Sequence, residues 1–460
     1  MKSSTTFSAV LITGLALIVS SCEPVFDVPE PQSGDADFSR YVALGNSLTA
    51  GFADNALYRD GQLASFPNQL ATQMQEAGGG SFIQPLVEDG VGAGQNQNPR
   101  LILQQGPDGS LAPGPAADEG QDIFSENIFG EGPFNNLGVP GAKTFHLLMD
   151  DYADLNPFYG RFAQDSETTL LEQALELDPT FFTLWIGSND ILGWATSGGT
   201  GDADGGTGEN DITLESVFEE SIETLIAQLT ANGAKGVVMN IPEVSVIPFF
   251  KVIPWDALEL TEEQAQMLID GYDDQIPGFV PDREDYIPDF QEGSNGFIIR
   301  DPDREVFLNQ DALKFRMATE NDRILFTVPQ DSLQPPPDGP GWGTAVPIPD
   351  EYTLREPQLE TVKEKVEEFN AIIESVAADH DIPVFDIPSL LERVNSGIQF
   401  DGAELTSEFV TGGLYSLDGV HLTDRGNAQL TNELIEFINA EYGASLSPVN
   451  VGDYKGVRFP

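Results

Sequence analysis

Arg40-Tyr41-Val42-Ala43-Leu44-Gly45-Asn46-Ser47-Leu48-Thr49-Ala50-Gly51 decides how this chain is read. Tyr41 to Leu44 is a short apolar run, as expected of a buried strand. A glycine ends it and a serine follows almost at once. Strand, tight turn and serine together lift a hydroxyl out of the end of a parallel sheet. Alone, the serine says little, because serines are common turn formers. Its meaning depends on whether distant parts of the chain supply a base, an acid and hydrogen-bond donors.

Four further stretches read as strands: Asn135 to Gly141, Thr180 to Ile186, Lys235 to Ile241 and Ile382 to Ile387. Thr180 to Ile186 (ThrPhePheThrLeuTrpIle) is apolar throughout, as a strand covered on both faces is. Helices are expected over 66–76, 143–152, 170–177, 214–231, 353–378, 390–395 and 424–442. Pro67 sits in the first turn of one, and Thr423 is placed to cap the last. Strands and helices alternate. That predicts an α/β fold: three layers, α/β/α, around a five-stranded, mostly parallel sheet. In such sheets sites form beyond the C-terminal ends of the strands.

Two long excursions interrupt the alternation, at about 81–132 and 242–350. The second holds an amphipathic piece at Thr261 to Asp270, strand-like pieces at Phe297 to Arg300 and Arg323 to Val328, and the stiff Pro335-Pro336-Pro337. It is too long for a simple connection, so it is expected to be a lid or a small inserted subdomain. The apolar run Val244 to Ile253 either lines a pocket or belongs to the core. Asp202 and Asp204 lie in a Gly-rich loop whose spacing fails a calcium-loop pattern, and a solvated loop is the reading.

The 460 residues include 75 Asp and Glu against 21 Lys and Arg, a net charge of −54. Such a surface repels nucleic acid and anionic headgroups. With 29 Phe, the chain has the means for a packed core, so the acidity reads as a solvated coat suited to high salt rather than as disorder. Lys2, the apolar run Phe7 to Val19 and Ser20-Ser21-Cys22 read as an export signal. Val19-Ser20-Ser21-Cys22 resembles a bacterial lipobox, and Cys22 is the only cysteine. This predicts a signal peptide over 1–21, lipidation of Cys22 and anchoring to a membrane. A flexible tether over 22–38, a folded domain over 39–445 and a tail over 446–460 follow. The expected address is the cell envelope, in a Gram-negative bacterium the outer membrane.

A serine nucleophile needs a base, and the base needs an orienting carboxylate. The histidines are His146, His380 and His421. His380 ends a helix before a strand, at the wrong end of the sheet. His146 follows Gly141 and could be near the site, but no carboxylate accompanies it until Asp150. His421 lies in Asp418-Gly419-Val420-His421, where one turn of chain can bring acid and imidazole together. Candidate donors to a developing oxyanion are the N–H groups of Ser47 and Gly141 and the side-chain amide of Asn189.

Together these blocks resemble the GDSL esterase/lipase family, the SGNH hydrolases, in its bacterial lipoprotein form. Gly45-Asn46-Ser47-Leu48 is similar to the first family block, Asn136 to Gly141 to the second, Gly187-Ser188-Asn189-Asp190 to the third and Asp418 to His421 to the last. The resemblance implies a flavodoxin-like fold and a carboxylic-ester hydrolase without metal or cofactor. Ser47, His421 and Asp418 are then the catalytic residues, with Ser47, Gly141 and Asn189 around the oxyanion. Substrates would be acyl-lipid esters or acetylated glycans, with the long excursions setting the choice. The family name implies Asp where this chain has Asn46. The rival expectation is a catalytically silent binding protein on the same fold.

Overall fold

The strands over 41–45, 136–138, 181–185, 235–239 and 384–385 form a single sheet in a computed structural model of the chain. Residues 30–106, 109–333, 341–400, 403–457 and 459 are described. The expected signal peptide, Cys22, the first part of the tether and Pro335-Pro336-Pro337 lie outside them.

We label these strands β1 (Tyr41–Gly45), β2 (Asn136–Gly138), β3 (Phe181–Trp185), β4 (Lys235–Met239) and β5 (Val384–Phe385). Their order is β5-β4-β3-β1-β2 and every pairing is parallel. From the other edge this is 2-1-3-4-5, the doubly wound order whose switch point lies beside β1. Gly45 stands opposite both Gly138 and Trp185, so three strands end together there. The chain leaves β1 at Gly45 and reaches Ser47 at that switch point.

Helices flank the sheet. They are α1 (Phe66–Glu76), α2 (Glu215–Thr230), α3 (Glu356–Asp379) and α4 (Asp424–Tyr442). Buried Phe66, Leu70 and Met74 recur at helical spacing along α1. Phe66 meets Trp185, and Tyr442 of α4 meets Phe181, with ring centroids 5.7 and 5.6 Å apart. Phe218 of α2 stacks flat on Phe369 of α3 at 4.0 Å, both fully buried. The Thr423 hydroxyl caps α4 by accepting the Gly426 N–H, and Gly443 ends it with a left-handed φ of 62°.

Several boundaries differ from expectation. The helix expected over 143–152 is instead a 3-10 turn, Thr144–Leu148, followed by a short helix, Tyr152–Leu155. Thr144 is tied sideways to Asp190, and Asp151 breaks the chain with a φ of 62°. The helix expected from 353 starts at Glu356, because Thr353–Leu354 pairs with Arg323–Ile324. The tether expected up to 38 has already joined the fold: Asp35 N–H donates to Tyr442 O, and Phe38 is buried edge-on against Phe181. The tail after Gly443 lies along α4, held by Asn432 and Asn439.

The first excursion carries a hairpin, Leu101–Gln105 with Leu111–Pro115. The second builds its own apolar core between Ile253 and Ile348, including Tyr272, Phe290, Ile298, Phe315 and Ile324. Its charges are knitted to α3: Arg316 grips Asp322 and Asp301, while Arg355, one residue before α3, reaches Asp301 and Asp303. Val244, Phe249 and Phe250, from the apolar run at its start, are buried in the main core instead.

Candidate active site

Ser47 opens a four-residue helix, Ser47–Ala50, directly after β1. Asn46 caps it, its side-chain oxygen accepting the Leu48 N–H at 3.0 Å. Asn and Asp serve equally as N-caps, which accounts for Asn46 at this position. Underneath, β2 supports the helix. The Asn136 amide donates to Thr49 O at 2.9 Å and its carbonyl accepts the Gly138 N–H at 3.0 Å. A Cβ on Gly138 would come within 2.3 Å of the Ala50 nitrogen, so only glycine lets the two backbones approach this closely.

His421 and Asp418 reach Ser47 from the turn before α4. Ser47 Oγ lies 2.8 Å from His421 Nε2, and His421 Nδ1 lies 2.9 Å from Asp418 Oδ2. With the Nδ1 proton donated to Asp418, Nε2 accepts from Ser47. The Asp418 side chain is only 9% exposed. Burial would raise its pKa, but the His421 charge, the His421 side-chain hydrogen bond and the N–H groups of His421 and Asn55 outweigh it. They hold the carboxyl well below the usual carboxylate range. Asp418 therefore stays ionised beside the imidazole, the state that stabilises an imidazolium.

The turn is braced from two sides. Asn55 N–H donates to Asp418 Oδ2 and Leu417 N–H to Asp54 Oδ1, both at 2.9 Å. Asp54 and Asn55 both adopt left-handed φ, 51° and 61°. Behind them the Phe249 N–H donates to Gly419 O at 3.0 Å, and Phe52 lies against the His421 ring. None of these supports is visible in the D-x-x-H pattern. An Asp-Asn pair prone to left-handed turns was the local signal for the first.

A cavity of about 420 Å³ opens over this group, lined by Ser47, His421, Gly141 and Asn189 among others. Gly141 has a φ of 82°, and neither its N–H nor that of Ser47 donates to a protein acceptor among the described residues. One hydrogen of the Asn189 amide is held by Ala142 O at 2.9 Å, which leaves the other for the cavity. Gly138 N–H, by contrast, is occupied by Asn136. All five expected site residues thus meet at one place. Among the described residues the second excursion contributes none of the cavity's lining; the first contributes Gln95.

No protein-family model matches this chain, and no curated protein matches it in sequence. Several solved structures are similar to it in shape, among them the following three. A lipase/acylhydrolase from Enterococcus faecalis is 13% identical, with 89% of this chain and 98% of that one covered and a TM-score of 0.32. An acetyl xylan esterase is 11% identical, with 86% and 98% covered and a TM-score of 0.32. An extracellular lipase from Streptomyces rimosus is 12% identical, with 88% and 99% covered and a TM-score of 0.29. At these values the likeness carries no chemistry, which rests on the geometry of this chain.

Asp190, beside Asn189, is fully buried. Its carboxylate accepts the Thr144 N–H at 3.0 Å and the Thr144 hydroxyl at 2.7 Å, so it ties the Gly141 loop to the segment bearing Asn189. Burial pushes its pKa up to about 6, against the hydrogen bonds from Thr144 and the Lys143 charge. A raised folded pKa means that the native state binds more protons than an unfolded chain between ~4 and ~6, so stability falls as pH rises through that window. Asp190→Asn is expected to flatten that part of the stability curve, read by urea melts from pH ~4 to ~7. An unchanged slope would place the titration elsewhere.

Proposed function

We propose that the chain is a serine carboxylic-ester hydrolase of the SGNH type. The observation that carries this is the unbroken Ser47–His421–Asp418 hydrogen-bond chain, 2.8 and 2.9 Å, at the switch point of the sheet. The unpaired donors facing the same cavity support it. Ser47 Oγ attacks the ester carbonyl as its proton passes to His421 Nε2. Asp418 stabilises the resulting imidazolium and keeps the ring oriented. The N–H groups of Ser47 and Gly141 and the Asn189 amide receive the oxyanion. Collapse leaves an acyl group on Ser47 and sends the proton from His421 to the departing alcohol. Water, activated by the same imidazole, then releases the acid. Acyl-lipid esters and acetylated glycans are the substrate classes this reading carries.

A fluorophosphonate tests the reading, since it reacts with activated serines. Stoichiometric labelling that maps to Ser47 by peptide mass spectrometry is the expected result. Absence of labelling would favour a silent binding protein on this fold.

We also propose export, lipidation at Cys22 and anchoring in the cell envelope, supported by Lys2, the apolar run after it and the small residues before Cys22. Cys22→Ala is then expected to move the protein from the membrane fraction to the soluble fraction. Retention in the membrane would count against the anchor.

A further inference from the structure

The cavity that holds Ser47 and His421 also holds a second imidazole, which the chemistry above leaves unused. His146 lines it together with Lys143, Tyr152, Asn189 and Leu192. His146 Nδ1 accepts the Lys143 backbone N–H at 3.0 Å. A neutral ring bound in this way must carry its proton on Nε2. The ring is neutral, because burial, and after it the Lys143 charge, pushes its pKa down to about 4. It is also fixed in place: Tyr152 stacks on it at 4.4 Å with planes 13° apart, and Phe145 lies 4.3 Å away. No acceptor for Nε2–H is found among the described residues.

We propose that His146 is a specificity-determining residue whose Nε2–H donates to a substrate oxygen outside the scissile ester, so that the preferred substrates are hydroxylated esters rather than plain alkyl esters. The inference rests on the ester-hydrolase reading of the same cavity. A fixed, unpaired donor is satisfied by such a substrate, whereas a plain hydrocarbon chain would desolvate it without return. The rest of the lining fits. Asn55, Gln95, Thr207 and Glu209 bring polar groups to the cavity beside Leu155 and Phe158, so both ends of a hydroxylated molecule find matching surface.

The extra oxygen could belong to the alcohol or to the acyl half, and two substrate pairs separate these. One pair is glyceryl monoacetate against n-propyl acetate; the other is ethyl 3-hydroxybutanoate against ethyl butanoate. The readout is the ratio of kcat/KM within each pair. The wild-type protein should favour the hydroxylated member of one pair by about 10-fold, the worth of one well-placed neutral hydrogen bond.

Variants distinguish a donor from a mere structural cap. His146→Gln keeps an acceptor for the Lys143 N–H and an N–H donor, so it should keep most of the preference. His146→Glu keeps only the acceptor and should erase it. His146→Met, uncharged and without a donor, should erase it too and serves if the Glu variant fails to fold. No wild-type preference in either pair, or equal ratios in the Gln and donor-free variants, would overturn the proposal. If the wild-type Ser47 is not labelled by a fluorophosphonate, the ester-hydrolase reading itself has failed.

Discussion

Ser47→Ala should lower turnover of a short nitrophenyl ester by roughly 10⁴- to 10⁶-fold while leaving the fold intact. The size follows from what the hydroxyl does. Without it the proposed acyl-enzyme cannot form, and only water attack within the cavity and its proposed oxyanion donors remains. Preservation of the fold follows from what the hydroxyl does not do. Among the described residues its one side-chain hydrogen bond is to His421. The short helix is capped by Asn46 and seated on Gly138, and neither needs the Ser47 side chain. Alanine is also a good helix former at that position. A purified variant with an unchanged melting temperature and undiminished turnover would sink the mechanism. His421→Ala should fall comparably, since the two residues act as one unit and their losses do not add.

Much of this was legible locally. Tyr41 to Leu44 and Phe181 to Trp185 lie in fully covered strands, and such strands show as unbroken apolar runs in any sequence. The helix Asp424–Tyr442 was legible to the residue because Thr423 caps it and Gly443 stops it. The site residues were legible for a related reason. Each lies at a strand end or turn, where Gly, Asn, Asp and Ser stand out against apolar neighbours.

What escaped is whatever depends on chain far away. The stretch after Gly141 has helical composition, yet the Asp190 carboxylate takes up the Thr144 N–H and hydroxyl and the segment settles into a 3-10 turn. The brace of Asp54 and Asn55 on the Asp418 turn joins residues more than 360 positions apart. The length of the second excursion left a lid and a small inserted subdomain both open. Its short strands close on a core of their own, and among the described residues its leading segment meets the Asp418 turn through the Phe249 N–H and Gly419 O.

Asp418→Asn should cost about 10⁴-fold in kcat on the same ester, nearly as much as losing the serine, although the change removes only one charge and adds two hydrogens. The reason is in the donors around the carboxylate. Oδ1 accepts the N–H groups of Val420 and His421, and Oδ2 accepts Asn55 N–H and His421 Nδ1–H, each at 2.9 Å. All four partners donate, and an asparagine offers only one accepting oxygen. If the amide nitrogen turns to the backbone side, two N–H groups of the turn lose their acceptor and the turn loosens. If it turns to the ring side, it forces the proton of His421 from Nδ1 to Nε2, and the imidazole can no longer accept from Ser47. Either arrangement breaks the chain at its middle. Stability should report the same charge. Because the carboxyl is held below its unfolded value of ~3.9, ionisation favours the folded state at every pH above that. The advantage over the Asn variant should be full at neutral pH and fade as pH falls below ~4, read by urea melts at both ends. An Asn variant with wild-type turnover would mean that His421 is oriented by something other than Asp418.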